Sequence, residues 1–446
     1  MIPAWVQLAV ALGVGAAEDV RFCEVPADCG KGQSCVGYVC ASGSDRARVE
    51  VLYKLAVVPP FVAGNDPALQ AAADRFYGAL LADLAASGFY EVVGREGLPA
   101  GWGAEGASVA ELRHATWQQD GFYRVVKIAV GPAPGGRVRV RLRVVEVERF
   151  GVVDLPEGDA TLSYDEFAGL SFRWVNALIG ADTGVPGALG THIVAVVELA
   201  KGVKEIAVVG ADGGGFRQVT ETKNLNLMPA WGPKGALGWM SYASKNGDWL
   251  VDGKPFSTRP GLNQAGAWSP DGRFLALSVA DEEGDSEIYL LEADTGAEHA
   301  RLTDDRAVDT SPAWSPDGER LAFVSDRNGQ PQIWLLSLTT GDIEPLTRDG
   351  YNTSPDWSPT GDSIVFTRQA GSNFVIMRYD FDTQQMMRLT DGRKSAESPS
   401  YSPDGRYLAF ALKGDEGSRL WVMNADGSNA RQIGGDRAFS APDWGP

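Results

Sequence analysis

The sequence predicts two folded domains: an N-terminal α/β unit with a mixed sheet and two main helices, followed by six four-stranded antiparallel sheets arranged in a ring. Three observations predict this. A turn motif recurs as Trp268-Ser-Pro-Asp-Gly, Trp314-Ser-Pro-Asp-Gly, Trp357-Ser-Pro-Thr-Gly and Tyr401-Ser-Pro-Asp-Gly, with a worn copy at Trp231-Gly-Pro-Lys-Gly and a truncated one at Trp444-Gly-Pro. Its aromatic residues stand 37, 46, 43, 44 and 43 positions apart, the period of a propeller blade. Ahead of the repeats, from Val49, buried-strand runs alternate with runs at helical spacing, as in an α/β domain.

The motif is a hairpin turn by its chemistry. Pro supplies the fixed φ of the second turn position, Asp accepts from backbone two residues on, and Gly takes the left-handed position that closes the hairpin. A short β run follows each copy, as in Leu321-Ala-Phe-Val-Ser or Leu408-Ala-Phe-Ala. A polar turn, a second run such as Gln332-Ile-Trp-Leu-Leu-Ser, and a third ending Leu302-Thr, Leu346-Thr or Leu389-Thr come next. With the strand carrying the aromatic residue, each unit has four strands. The repeated Trp and Asp read as architecture, since an active site is not rewritten in every blade. Calcium ligation by the Asp residues is the alternative, and it is disfavoured because a calcium loop concentrates several oxygen ligands where each turn offers one carboxylate.

The ends of the second half complete each other. Thr191 to Val197, Lys204 to Val209 and Phe216 to Thr220 read as the second, third and fourth strands of a blade lacking its first. Ser440-Ala-Pro-Asp-Trp444 reads as a first strand with no blade after it. Joined, they make six blades and a six-bladed β-propeller without open edges.

The expected domains are a signal-like segment (1–17), a Cys-rich module with its linker (18–47), the α/β domain (48–180) and the propeller (187–446). Trp5 to Ala17 has the length of a signal-peptide core, although no Lys or Arg precedes it; a buried N-terminal strand or helix is the other reading. All four cysteines, Cys23, Cys29, Cys35 and Cys40, fall in one short window. There is no Cys-x-x-Cys pair and no nearby His, so two disulfides in an oxidising compartment are favoured over zinc.

Within the α/β domain, Lys54 to Phe61 is a strand that ends at its prolines, and Asp66 with Pro67 opens a helix carrying Leu69, Phe76, Leu80 and Leu84 on one face. Gly88 is expected to stop it, and Phe89 to Val93 is the next strand. Ser108 to Glu111 has capping-box spacing and opens a short helix. Phe122 to Val130 and Arg137 to Glu148 form a hairpin whose second strand alternates Val138, Val140, Leu142 and Val144 with Arg137, Arg139, Arg141 and Arg143. The basic stripe reads as an exposed sheet face, with an acidic partner as the alternative. A second capping box, Ser163 to Glu166, opens a helix with Phe167, Leu170, Trp174 and Leu178 on its core side.

The formal charge of −18 argues against nucleic acid and anionic lipid as partners, and no apolar run in the body of the chain is long enough to span a membrane. No Gly-x-Ser-x-Gly elbow occurs. His114, His192 and His299 fall in separate elements, and the carboxylates are scattered over turns. No catalytic set, cofactor or metal site is therefore expected.

Three local stretches match a known family in order: Leu55-Ala-Val-Val-Pro-Pro-Phe61, Leu81-Ala-Asp-Leu-Ala-Ala-Ser-Gly-Phe89 and Gly190-Thr-His-Ile-Val-Ala-Val196. Together with the repeated turns, they make the chain from about Val49 to Pro446 resemble the TolB family, periplasmic components of the Tol–Pal systems of Gram-negative envelopes. The resemblance implies a monomeric periplasmic scaffold, not an enzyme, that helps maintain envelope integrity and outer-membrane constriction during division. In the family the propeller funnel receives the peptidoglycan-associated lipoprotein Pal, and the extreme N-terminal segment engages TolA. The positions matching the funnel loops, hence the implied partner-binding residues, are Asn263, Asp309, Thr310, Asn352, Thr353, Ser395 and Glu397. Two departures stand out. The cysteine window occupies the place of the TolA-binding peptide, and the second blade, Trp231 to Arg259, is short. The competing functions are a propeller enzyme or sugar-binding protein with a central-channel pocket, and an envelope adaptor working through its cysteine module.

Overall fold

The structure, a computed structural model, describes residues 53–446 except 88, 154, 157, 164–165, 167–169, 184–186, 281–284, 416 and 446, together with the backbone of Gln33–Val36 and Val39–Ser42. The chain divides into two compact units, Met1–Pro186 and Gly187–Pro446. Gln33–Val36 and Val39–Ser42 pair antiparallel with Cys35 opposite Cys40. The cysteine side chains, the signal-like segment, residues 43–47 of the linker, Gly88 and Phe167 lie outside the described residues. Among those described, no helix is long and apolar enough to cross a membrane.

The first unit is built on a mixed sheet. Tyr53–Val57 lies parallel to both Tyr90–Val93 and Arg124–Ala133, and Arg124–Ala133 turns back through Pro134–Gly136 into Arg137–Glu146. Val152–Val153 and Asp159–Leu162 pair with the outer side of that hairpin. Helix α1, Pro67–Ala86, begins as the sequence dictates: Asp66 accepts from the Ala68 N–H at 2.9 Å, and Pro67 supplies the helical φ without needing a donor. Helix α2 is His114–Gln119 and helix α3 is Leu170–Thr183. Phe76 of α1 meets Trp174 of α3 edge-to-face at 5.3 Å, with Leu80, Leu84, Val126, Val144 and Leu178 buried around them. Each such side chain contributes roughly 1.5–3 kcal/mol when fully buried.

Two local readings change in detail. Ser108 does cap, accepting from the Ala110 N–H, but the turn it opens is only Val109–Glu111. Leu112 is extended, and the helix restarts at His114. The buried Glu105 causes the break: its carboxylate accepts from the Arg113 backbone and guanidinium and from the Trp117 indole, and it lies 3.8 Å from the buried Lys127 ammonium. The second capping box is formed, with Ser163 N–H donating to Glu166 at 2.7 Å and Glu166 N–H to the Ser163 hydroxyl at 3.3 Å.

The basic stripe lies on the exposed sheet face as its alternation dictates, and the chain supplies part of its own counter-charge. Asp159 pairs with Arg141 at 2.8 Å and Arg143 at 2.6 Å, bonds that hold its carboxyl below the usual carboxylate range. Arg137 donates to the Thr161 carbonyl.

The second unit is a six-bladed propeller. Naming each blade by its innermost strand, blade two starts at Asn226–Trp231, blade three at Leu262–Trp268, blade four at Thr310–Trp314, blade five at Asn352–Trp357 and blade six at Ala396–Tyr401. Blade one takes its innermost strand, Ala438–Gly445, from the far end of the chain and pairs it with His192–Ala200, followed by Val203–Gly210 and Arg217–Gln218. The register sets Ile193 opposite Trp444 and Val197 opposite Phe439. The Trp444 indole donates to the Thr191 hydroxyl across 253 positions of sequence.

The repeated turn behaves as its residues require. In the blade-four copy, Gly318 N–H donates to the Ser315 carbonyl, Glu319 N–H to the Asp317 carboxylate, and Arg320 N–H to the Ser315 hydroxyl, with Gly318 at φ +73. The Ser315 hydroxyl, donating to Asp317, and then the Glu319 N–H hold the Asp317 carboxyl below its ordinary range. In four blades the Thr that closes the fourth strand also has a bond to make. Thr220, Thr303, Thr347 and Thr390 accept from the N–H of Ile206, Ile288, Ile333 and Ile376 on the neighbouring third strand.

Blade two is short but complete, with strands Leu237–Ser241, Asp248–Val251 and Lys254–Ser257 behind its first. Its unusual composition serves two neighbouring indoles, Trp249 and Trp268, whose rings lie 6.4 Å apart and are tilted by 53°. A Cβ on Gly238 would sit 2.4 Å from Trp268 and 2.8 Å from Trp249, so only glycine leaves room.

Candidate functional site

The innermost strands pack beside one another all the way round the ring and wall its central channel. Each enters from a loop that starts at the fourth strand of the preceding blade. On the same face lie the turns between second and third strands, as Asn263 N–H to Gly247 carbonyl, Asn352 N–H to Pro331 carbonyl and the Ser286–Val308 bridge show. This face is the mouth.

Four of the seven residues expected to touch a partner are instead buried joints of the mouth. Asn263 is fully buried, accepting from the Ser257 hydroxyl and the Arg259 N–H and donating to the Gly247 and Arg259 carbonyls. Asp309 is also fully buried and holds the Arg327 guanidinium at 2.8 Å. Desolvation pushes its carboxyl above the ordinary range, against the Ser325 hydroxyl and the Arg327 charge. Asn352 donates to Gln332 Oε1 and the Asp349 carbonyl, and Ser395 accepts from the Phe374 N–H. The physical reason is common to all four. A chain crossing between blades leaves the sheet ladder, and the backbone groups it frees inside the protein require side-chain partners. Thr310, Thr353 and Glu397, each the next or second residue into the strand, stay half-buried on the channel wall.

One feature of the channel escaped the sequence reading. All six innermost strands carry a bulge at one level, where Met228, Ala265, Ser311, Ser354, Ser398 and Ala441 take left-handed φ between +45 and +53. Such a backbone costs an L-residue roughly 1–2 kcal/mol. The available signal was a proline two residues before the aromatic residue, at Pro229, Pro312, Pro355, Pro399 and Pro442, with Gly266 in blade three.

Between that proline and the aromatic residue, three blades place a polar side chain. Asp356 accepts from the Tyr401 N–H at 2.7 Å, and Ser400 accepts from the Trp444 N–H at 3.0 Å. Ser400 also donates to Asp443, whose other oxygen accepts from the Trp231 N–H at 2.7 Å. Both residues keep partial exposure, yet their carboxyls are desolvated by the protein around them. Desolvation, then the Tyr401 N–H pulling the other way and the Asp443 charge adding to it, leave Asp356 pushed up to about 8. Desolvation likewise pushes Asp443 up to about 6.

No group of three or more His, Cys, Asp or Glu side chains suited to a metal occurs among the described residues. The histidines are apart: His114 faces the Val147 carbonyl, His299 pairs with Glu292, and His192 is exposed at the start of its strand. What the mouth offers is a rim of loops fixed from below by buried bonds.

The family profile described as "PD40: TolB beta propeller domain" matches residues 181–446. The "Tol-Pal system protein TolB" of Bordetella pertussis is 30% identical over 377 residues, covering 82% of this chain and 83% of that protein. The "Protein TolB homolog" of Chlorobium luteolum is 33% identical over 209 residues, 46% of this chain and 47% of that protein, so that match spans about half of the relative. The crystal structure of TolB from Acinetobacter baumannii superposes with a TM-score of 0.73 at 25% identity, covering 89% of this chain and 97% of that one. With its propeller matched throughout by the family profile and its relatives aligned well beyond the propeller, the chain belongs to the TolB family of Tol-Pal propeller proteins.

Proposed function

We propose that this chain is a periplasmic, non-enzymatic scaffold that binds a Pal-type lipoprotein at the propeller mouth and so helps hold the cell envelope together. The observation that carries the reading is the way the mouth is built. Asn263, Asp309, Asn352 and Ser395 lock the rim loops from beneath, so a partner meets a surface already ordered, and preorganisation lowers the entropic cost of association. In this reading those four are positioning residues, and Thr310, Thr353 and Glu397 are the contact residues.

Calorimetry with the Pal-type lipoprotein of the same organism tests the proposal. Binding at micromolar concentration or tighter is expected, and its absence would overturn the reading. Thr353→Trp, on the channel wall, should weaken that binding about tenfold or more while leaving the melting temperature within a few degrees of the parent. An unchanged affinity would remove Thr353 from the contact set.

A further inference from the structure

A cleft of about 280 Å³ opens on the mouth face between blades four and five, lined by Asn328, Gln330, Gln332, Arg348, Asp349 and Gly350. Its floor is fixed. The buried Gln332 side chain donates to the Gly350 carbonyl at 2.6 Å and accepts from Thr347 and Asn352. Its own carboxylate is neutralised, because Asp349 pairs with Arg368 at 2.6 Å. Three side chains are left without a hydrogen bond or ion pair among the described residues: the Arg348 guanidinium and the amides of Asn328 and Gln330. The exposed Tyr351 ring, packed on Phe374, flanks them.

The repeat makes Arg348 stand out. It follows the Thr that ends a fourth strand, and after the matching Thr220, Thr303 and Thr390 the chain places Glu221, Asp304 and Asp391. One junction has thus inverted its charge in a molecule of net charge −18. Elsewhere on this face the guanidiniums of Arg301, Arg327 and Arg368 each have a carboxylate of their own.

We infer that this cleft is the subsite that takes a carboxylate of the protein partner, from an Asp or Glu side chain or from a chain terminus. The inference rests on the reading that the mouth binds a protein. The planar fork of Arg348 holds both carboxylate oxygens, which a lysine cannot do. The amides of Asn328 and Gln330 serve the peptide groups on either side.

The test uses the full chain and the Pal-type lipoprotein. Arg348→Ala should weaken binding by about tenfold or more and Arg348→Glu further, with Arg348→Lys between Ala and wild type. The melting temperature should not move, since Arg348 makes no internal bond. Changing the lipoprotein's surface Asp and Glu residues one at a time to Lys should reveal one that restores binding to Arg348→Glu. Amidation of the lipoprotein's C-terminus reports on the other source of the carboxylate. If wild type binds and Arg348→Glu binds equally well, the inference fails while the mouth reading stands. If wild type does not bind, the mouth reading fails and the cleft is decided separately by the rate at which phenylglyoxal modifies Arg348. An amidated acidic tripeptide or a neutral tripeptide with a free terminus, at millimolar concentration, should slow that modification; protection by neither would overturn the subsite.

Discussion

The two arcs of the ring are joined by different chemistry. From blade five through six and one to two, Asp356, Ser400 and Asp443 stitch each innermost strand to the next by accepting a backbone N–H. The same position in blades two, three and four holds Ala230, Ala267 and Ala313, which accept nothing through their side chains. There the joint is made by indoles: Trp249 and Trp268 pack over Gly238, and the Trp314 indole donates to the Ala267 carbonyl. The stitched arc contains the strand that arrives from the far end of the chain, and its bonds tie that strand to blade six on one side and blade two on the other. Packing is non-directional and tolerates small slips, whereas a hydrogen bond fixes register. The packed arc has one such bond, from the Trp314 indole, whereas the stitched arc has one at every joint; the difference teaches that an unbroken run of directional bonds is placed where a strand must be seated without a covalent lead from the sheet it joins.

Three changes sharpen or break this contrast. The largest effect is expected in the packed arc, where Gly238→Val drives a branched side chain into two indoles. A loss of about 3 kcal/mol or more, read by denaturant unfolding, is expected from overpacking, and a near-neutral result would mean that the indoles are loosely held. In the stitched arc, Asp443→Ala leaves the Trp231 N–H without its acceptor and should cost about 1–3 kcal/mol. Asp443→Asn keeps an acceptor oxygen and should cost less; equal losses would assign the effect to packing instead.

The remaining effect is in the pH profile. Folding raises the Asp356 and Asp443 pKa values above their unfolded value, so over the interval from about 4 to about 8 the folded state holds protons that the unfolded state has lost. Their contribution is fully present below about 4 and declines as pH rises through 6 and then 8. Carboxyls held low, such as Asp159 and Asp317, act in the opposite sense only at the acid end. The melting temperature should therefore fall between pH 5 and 8, and the Asp356→Asn, Asp443→Asn pair should flatten that slope. A slope unchanged in the double variant would place the titration elsewhere.

Much of the ring was legible because each clue was local and repeated. Ser315-Pro-Asp-Gly318 can satisfy its own backbone only as a turn, and the unmatched strands at Ile193 and Trp444 could be joined by counting. In the first domain, Asp66 with Pro67 and the alternation along Arg137 to Glu146 left little freedom. The mouth was misread at Asn263, Asp309, Asn352 and Ser395 because a polar residue in a loop resembles an exposed one. Nothing in one sequence says that the freed backbone groups beneath that loop would claim its side chain. The stitched arc was illegible for another reason. Asp356 and Asp443 occupy a position filled by alanine in half the blades, so the repeat pattern averages them away, and their chemistry arises only when neighbouring blades bring a backbone N–H to them.

The pairing of Ala438–Gly445 with His192–Ala200 also decides how the repeats share stability. An open stack of repeats has end units with one neighbour each, and these fray first. Here every blade has two neighbours, so no blade is an end, and loosening any one of them is resisted from both directions. Joining segments some 250 positions apart demands a long loop closure. The ring should therefore assemble late and then unfold as one body, not blade by blade.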